Sequence, residues 1–144
     1  MIGLRLDQTK ALFFDRQRVL NATSRAERRV LSRFGAFVRQ RSRTSIRPRK
    51  GTSPPGSPPF SHSGLLRRNI FFAFDPSARS VVIGPIRLNA KAGLAPHLLE
   101  HGGSTTVRRG GRLRPAVYRP RPYMRPALEA EQPKLPTLWK NSIR

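Results

Sequence analysis

Late in the chain, His97-Leu98-Leu99-Glu100-His101 has the H-x-x-E-H spacing of inverted zinc peptidases, with the two histidines one helical turn apart. Zinc chemistry needs a helix long enough to hold the ligands rigidly, plus a third protein ligand. Here Pro96 and Gly102 bracket little more than one turn, and the remaining histidine, His62, falls in a serine-rich loop. Leu98 and Leu99 are therefore expected as core contacts, with the polar neighbours outside. The acids are scattered. Glu129 and Glu131, two apart, point away from each other on a helix and cannot act as a carboxylate pair. No G-x-x-x-x-G-K-[ST], G-x-G-x-x-G or G-x-S-x-G pattern occurs, so phosphate-loop, dinucleotide and serine-nucleophile chemistry lack support. The expectation is a binding or building part rather than an enzyme, with no cofactor and no metal.

The charge is more telling. Twenty-nine Lys and Arg stand against 7 Asp and Glu, a formal +22, which points to nucleic acid, acidic protein surfaces or anionic lipid as partners. Arg41, Arg43, Arg47, Arg49 and Lys50 crowd the segment from Gln40 to Lys50, and Arg108, Arg109, Arg112 and Arg114 crowd a second one. These nine are the candidate contacts to DNA or to an acidic partner. No aromatic residue is interleaved in the first group, so it suits phosphate or carboxylate rather than stacked bases. With no cysteine, disulfide frameworks and thiolate metal sites are excluded. The chain has no apolar run of membrane-spanning length and no secretory-type start, so a protein made and used in a cytosol is expected.

The elements that must position these side chains are organised around residues 63 to 85. Ile70, Phe72 and Phe74 alternate with Phe71 and Ala73, and Val81 and Ile83 alternate with Val82, which predicts a β-hairpin turned by Asp75-Pro76-Ser77-Ala78-Arg79. Both faces are apolar, so each is expected to be covered, with the pair at the centre of a small antiparallel sheet. Before it, Asp15 reads as an N-cap with Phe14 and Val19 as a hydrophobic staple. Val19, Leu20, Ala22, Ala26, Val30, Leu31, Phe34, Phe37 and Val38 then form one helical stripe, and a capping-box pattern at Ser24 to Glu27 could restart the helix there. Residues 48–62 form a Pro-rich linker or projecting loop, in which Pro55 to Pro58 has the Pro-x-x-Pro form. Gly110-Gly111 marks the turn of a second, basic hairpin over 103–119, and Pro126 opens a short helix that Pro133 and Pro136 end. The expected whole is α+β: one long N-terminal helix packed on a small antiparallel β-sheet, a short C-terminal helix and extended basic loops. Residues 1–14 form a strand or arm, 15–132 a single domain, and 133–144 a tail carrying Trp139 as its anchor.

The order of these features resembles the neck or tail-completion proteins of long-tailed bacteriophages. The likeness spans roughly residues 15 to 130. That family pairs a TGxLRxSI strand start with a VGP strand, an E-x-G-T turn and an RPFLRPAL helix start. Here Ser63-Gly64-Leu65-Leu66-Arg67 leads to Ile70, with Ser63 in place of threonine and Asn69-Ile70 in place of Ser-Ile. Val82-Ile83-Gly84-Pro85 follows, then Glu100-His101-Gly102-Gly103-Ser104, and finally Arg121-Pro122-Tyr123-Met124-Arg125-Pro126-Ala127-Leu128, with Tyr-Met in place of Phe-Leu. The resemblance implies a non-catalytic subunit of a ring, often a hexamer, between head and tail tube. Its partners would be identical subunits, head-completion or adaptor proteins, tail-tube or tail-terminator proteins, and double-stranded DNA in the channel, with no membrane. Its place would be the virion neck, and the host cytoplasm during assembly.

Magnitudes limit where the charge can go in such a ring. A compact subunit of this length is about 37 Å across, so threading DNA offers it roughly 22 phosphates. Six copies would carry about 132 positive charges. Most arginines are therefore expected to face acidic neighbours or solvent, with a minority at the lumen. The alternative expectation, from composition, is a small basic nucleic-acid-binding protein of the ribosomal or chromatin kind.

Overall fold

A computed structural model describes residues 15–86, 95–140 and 142. The expected N-terminal strand, the Phe14 staple and most of the loop after Ile86 lie outside the described residues.

Helix α1 runs Arg16–Ser45, thirty residues without a break. Asp15 caps it, its Oδ1 accepting from the Arg18 amide at 3.0 Å. The capping-box pattern at Ser24 does not restart the helix. Thr23 Oγ1 donates back to the Val19 carbonyl, and the Glu27 carboxylate is taken by Arg79 instead. The buried stripe is Ala26, Val30, Phe34, Val38 and Ser42, stepped by four, with Gly35 beside it. Val19 and Leu20, expected in that stripe, are exposed. At 1.5 Å per residue α1 is about 45 Å long, roughly twice the reach of a six-residue strand, so its first turns extend past the hairpin it supports. At the other end the helix runs beyond Gln40, so Arg41 and Arg43 are helical rather than part of an extended arm.

Strands β1 (Ile70–Asp75) and β2 (Ser80–Pro85) pair antiparallel, with Phe72 opposite Ile83 and Phe74 opposite Val81. The Asp75 carboxylate holds the turn by accepting from the Ser77 and Ala78 amides and the Ser77 hydroxyl. Those donors, the hydroxyl first, hold its pKa below the usual carboxylate range. Arg79 sits at φ 49° and clamps Glu27 with two nitrogens, Nε to Oε2 at 2.9 Å and Nη2 to Oε1 at 2.8 Å, tying the turn to mid-helix. Beneath the hairpin, Gly35 lets the strands close on α1. A Cβ there would lie 2.8 Å from Val81 Cγ2 and 2.9 Å from Phe72 Cδ2. Only this face is covered. Phe71 is 45% and Val82 63% exposed on the other, so the expectation that both apolar faces are buried fails among the described residues.

Leu65–Arg68 is one turn of helix, α2, rather than a strand start. Gly64 enters it at φ 73°, where a side chain would be strained. Helix α3 (Ala95–His101) is followed by β3 (Gly103–Arg109) and β4 (Arg112–Tyr118), joined by Gly110 and Gly111 at φ 57° and 78°, as a two-residue hairpin turn requires. β3 and β4 form a separate two-stranded sheet, so among the described residues β1 and β2 are not the centre of a larger one. Helix α4 (Arg125–Glu131), a 3-10 turn (Gln132–Lys134) and helix α5 (Leu135–Lys140) complete an α+β fold.

Two clusters make the core. Phe34, Val38 and Ala127 pack with Val81, Ile83, Leu135 and Leu138, while Ile46, Ile70 and Tyr123 pack with Leu66, Leu99 and Met124. The segment after Pro133 thus packs on the body through Leu135 and Leu138. Trp139, the expected anchor, is 38% exposed, because a helix of this register turns it away from the cluster its neighbour Leu138 enters.

Candidate functional site

The last two of the motifs meet at one junction. At the end of α3, Glu100 Oε2 accepts from the amides of Tyr123 (2.9 Å) and Met124 (3.0 Å), and Oε1 from that of Arg125 (2.8 Å). A helix start leaves its first amides without partners, and a carboxylate also complements the positive end of the dipole. Glu100 is therefore a remote cap of α4, reaching amides 23 to 25 residues further along the chain. Both oxygens of the motif's glutamate are thus engaged in helix capping. The His97 and His101 rings lie 4.8 Å apart between centroids, tilted by 50°, and no group of three or more potential metal ligands occurs among the described residues.

The backbone is bent to make this possible. Gly102 adopts φ 74°, and a Cβ on it would lie 2.9 Å from the Tyr118 carbonyl oxygen and 3.1 Å from the Pro120 nitrogen. The Arg121 amide donates to the Leu99 carbonyl at 2.6 Å. Tyr123 is buried against Ile46 and Ile70, and burial, then the Glu100 charge, push its phenol well above the usual range. Glu100, Gly102, Arg121 and Met124, with Ile70 in the cluster around Tyr123, belong to one joint between the second hairpin and the helical body; Gly103 opens β3 and Pro122 lies in the joining segment, whereas Ala127 packs in the other cluster and Pro126 and Leu128 are exposed. Gly84 and Pro85 close β2, but a Cβ on Gly84 meets nothing within 4 Å, so no close approach requires glycine there. Ser63, Gly64, Leu65 and Arg67 sit around α2, with Leu65 facing solvent.

The Pro-rich segment is stitched to that joint rather than projecting from it. Gly56 N donates to the Pro120 carbonyl at 2.9 Å, and Arg121 Nε to that of Ser53 at 2.9 Å. Ser61 N donates to the Arg47 carbonyl at 3.0 Å. Pro54 to Ser57 is a closed turn, Ser57 N to Pro54 O at 3.2 Å, which removes the extended Pro-x-x-Pro conformation. Proline's missing amide explains why a loop with few internal bonds depends on these outside partners.

The nine basic candidates divide among four settings. Arg41 pairs with the buried carboxylate of Glu131, which Lys134 Nζ also contacts at 2.5 Å. Lys134 first, then Arg41, hold that carboxyl below its ordinary pKa against the opposing effect of burial. Arg43 lines a concavity with Arg67 and Arg68. Arg47, Arg49 and Lys50 are exposed where the chain leaves α1, Arg49 with its guanidinium 5.5 Å from the Phe60 ring centroid. Arg108, Arg109, Arg112 and Arg114 crowd the tip of the second hairpin, where Arg109 and Arg112 are direct cross-strand partners. Like charges so opposed cost stability unless an anion lies near.

Sequence reasoning passed over Arg68, Gly35, Arg39 and the Glu27–Arg79 clamp. Arg39 donates from Nε to the Ile70 carbonyl at 2.8 Å and lies over Phe71. Nothing local marks these residues, since each acquires its role from a segment far away in the chain. Known protein families, curated proteins and solved structures yield no match to this chain. No helix among the described residues is long and apolar enough to cross a membrane.

Proposed function

We propose that this chain is a structural, non-catalytic subunit of a phage neck, a tail-completion connector that joins the DNA-filled head to the tail as a ring of identical copies. The observation that carries the proposal is the joint built on Glu100, where the turn motif and the Arg-Pro helix start combine through three amide bonds into one rigid unit. Within this joint the Glu100 carboxylate and the Arg121 guanidinium are spent on backbone partners, which supports a role in shape. Assembly is further supported by apolar surface left in water on both hairpins: Phe71 and Val82 on the first, Leu113 and Val117 on the second. Head-to-tail contacts between unlike faces of identical copies close into rings when the rotation permits. Double-stranded DNA in the channel and acidic faces of adjoining head-completion or tail-tube proteins would balance the cationic surface.

Electron microscopy of particles from a phage carrying this gene tests the proposal by counting copies around the head–tail axis. Density for a ring at the neck is the expected result, and particles lacking the chain there would refute it. A second possibility, a small basic nucleic-acid-binding protein, draws on the opposed arginines at the hairpin tip. Co-purification of the chain with ribosomal RNA, and its absence from particles, would favour that alternative.

A further inference from the structure

Beside the last turns of α1 lies a concavity of about 350 Å3, within the size range of small-ligand sites. Arg43 of α1, Ser61, His62 and Ser63 at the end of the Pro-rich loop, and Arg67 and Arg68 of α2 line it. We propose that this pocket seats a backbone phosphate of duplex DNA.

Three arginines line the pocket, and no carboxylate does. Nor is one to spare nearby among the described residues. Asp15 caps α1, Asp75 its own turn and Glu100 α4, while Glu27, Glu129 and Glu131 hold Arg79, Arg125 and the Arg41–Lys134 pair. Bringing like charges into one hollow without an internal counter-ion is unfavourable, and an external anion reverses the sign. Guanidiniums match phosphate oxygens with paired parallel hydrogen bonds, which makes arginine rather than lysine the suited residue type.

The lining is held in place before any ligand arrives. Ser61 is buried and its amide is fixed on the Arg47 carbonyl; the His62 ring nitrogen Nε2 lies 2.8 Å from the Gly51 carbonyl. The Arg68 amide donates to Gly64 O at 2.9 Å, and Asn69 Nδ2 to Leu65 O at 2.8 Å, which fix the single turn of α2. No aromatic ring lines the pocket, so it offers nothing for a base to stack on and suits the sugar-phosphate strand. Exposed Arg47 and Arg49 adjoin it along the chain and continue the cationic surface, as a tracked strand needs and an isolated anion does not.

The choice of duplex DNA rests on the proposed function, which names double-stranded DNA as a partner. The two fail separately: failure of the pocket to bind duplex overturns the pocket assignment alone, and absence of the chain from the neck overturns the connector reading alone. Binding of the full chain to a short labelled DNA duplex tests the pocket assignment, measured across a salt series. The triple variant R43K/R67K/R68K keeps the charge and removes the planar forks, and is expected to weaken binding about ten-fold. Ser63→Glu, at an exposed position, puts a carboxylate at the mouth and is expected to weaken binding comparably, with the salt slope falling by about one. The control variant R25K/R29K, at exposed positions on α1, should stay within about twofold of the parent. Circular dichroism and thermal melting confirm that each variant is folded. Duplex binding unchanged in both pocket variants, or reduced equally by the control variant, overturns the proposal. Pyrophosphate binding at the pocket without measurable duplex binding assigns it to a free anion and overturns the backbone assignment.

Discussion

The two hairpins have the same topology and nearly the same length, yet one is part of the core and the other stands off it. β1–β2 places Ile70, Phe72, Phe74, Val81 and Ile83 on the face toward α1, and Gly35 removes the side chain that would hold them away. β3–β4 alternates too, but arginines occupy the positions a core would need: Val107 is paired with Arg114, and Arg109 with Arg112. Among the described residues its strands pack chiefly on each other, leaving Val117 81% exposed. A strand pair thus becomes structural when every second residue is apolar and a neighbour supplies space for it. Lacking the first condition, an equally well-formed ribbon remains a surface device.

The contrast can be broken most sharply at Ile70. Ile70→Ala removes a fully buried side chain shared by β1, α1 and Tyr123, and should cost about 2–5 kcal/mol in chemical denaturation. Glu100→Ala attacks the joint between the two regions. Three amides at the start of α4 would lose their acceptor, for a loss of about 2 kcal/mol, with amide exchange rising first at residues 123 to 125. Failure of either variant to lower stability would erase the distinction between core and joint on one side and projecting ribbon on the other.

Charge sharpens the comparison, since carboxylates occur in the body and none in β3–β4. Asp75 and Glu131 both have folded-state pKa values below their ordinary ones. Each therefore adds stability that is complete above the ordinary carboxylate range and is lost as pH falls through the depressed folded values. Glu131→Gln should flatten this acid limb and lower stability at neutral pH by about 1–2 kcal/mol, while amide exchange in the second hairpin follows only the general unfolding. Gly35→Ala comes next. Overpacking against Val81 and Phe72 opposes the better helix propensity of alanine, leaving a net loss of about 1 kcal/mol that circular dichroism melts can resolve. Val117→Ala closes the series with a change within about 0.5 kcal/mol in the same melts.

Local signals were legible wherever one segment satisfies itself. Asp15 capping the next turn, the period of Ala26, Val30, Phe34 and Val38, the alternation through Phe72 and Ile83, and the Gly110-Gly111 turn all operate over a few residues. Where a partner lies far along the chain, the signal was misread or missing. Glu100 looked like part of a histidine motif and caps a helix instead; Ser24 to Glu27 looked like a helix start, and Glu27 serves Arg79. The Pro-rich loop looked free because its partners, Arg47, Pro120 and Arg121, lie outside it.

By itself the sequence determined the elements: a long capped helix, two hairpins with their turns, a short proline-initiated helix, and a cationic excess no internal acid can balance. Only the tertiary structure decided which hairpin is buried, which arginines are matched and which line a common hollow. The physical reason is range. Periodicity, caps and turns are written in neighbours, whereas burial and ion pairing depend on which distant atoms fill the remaining space.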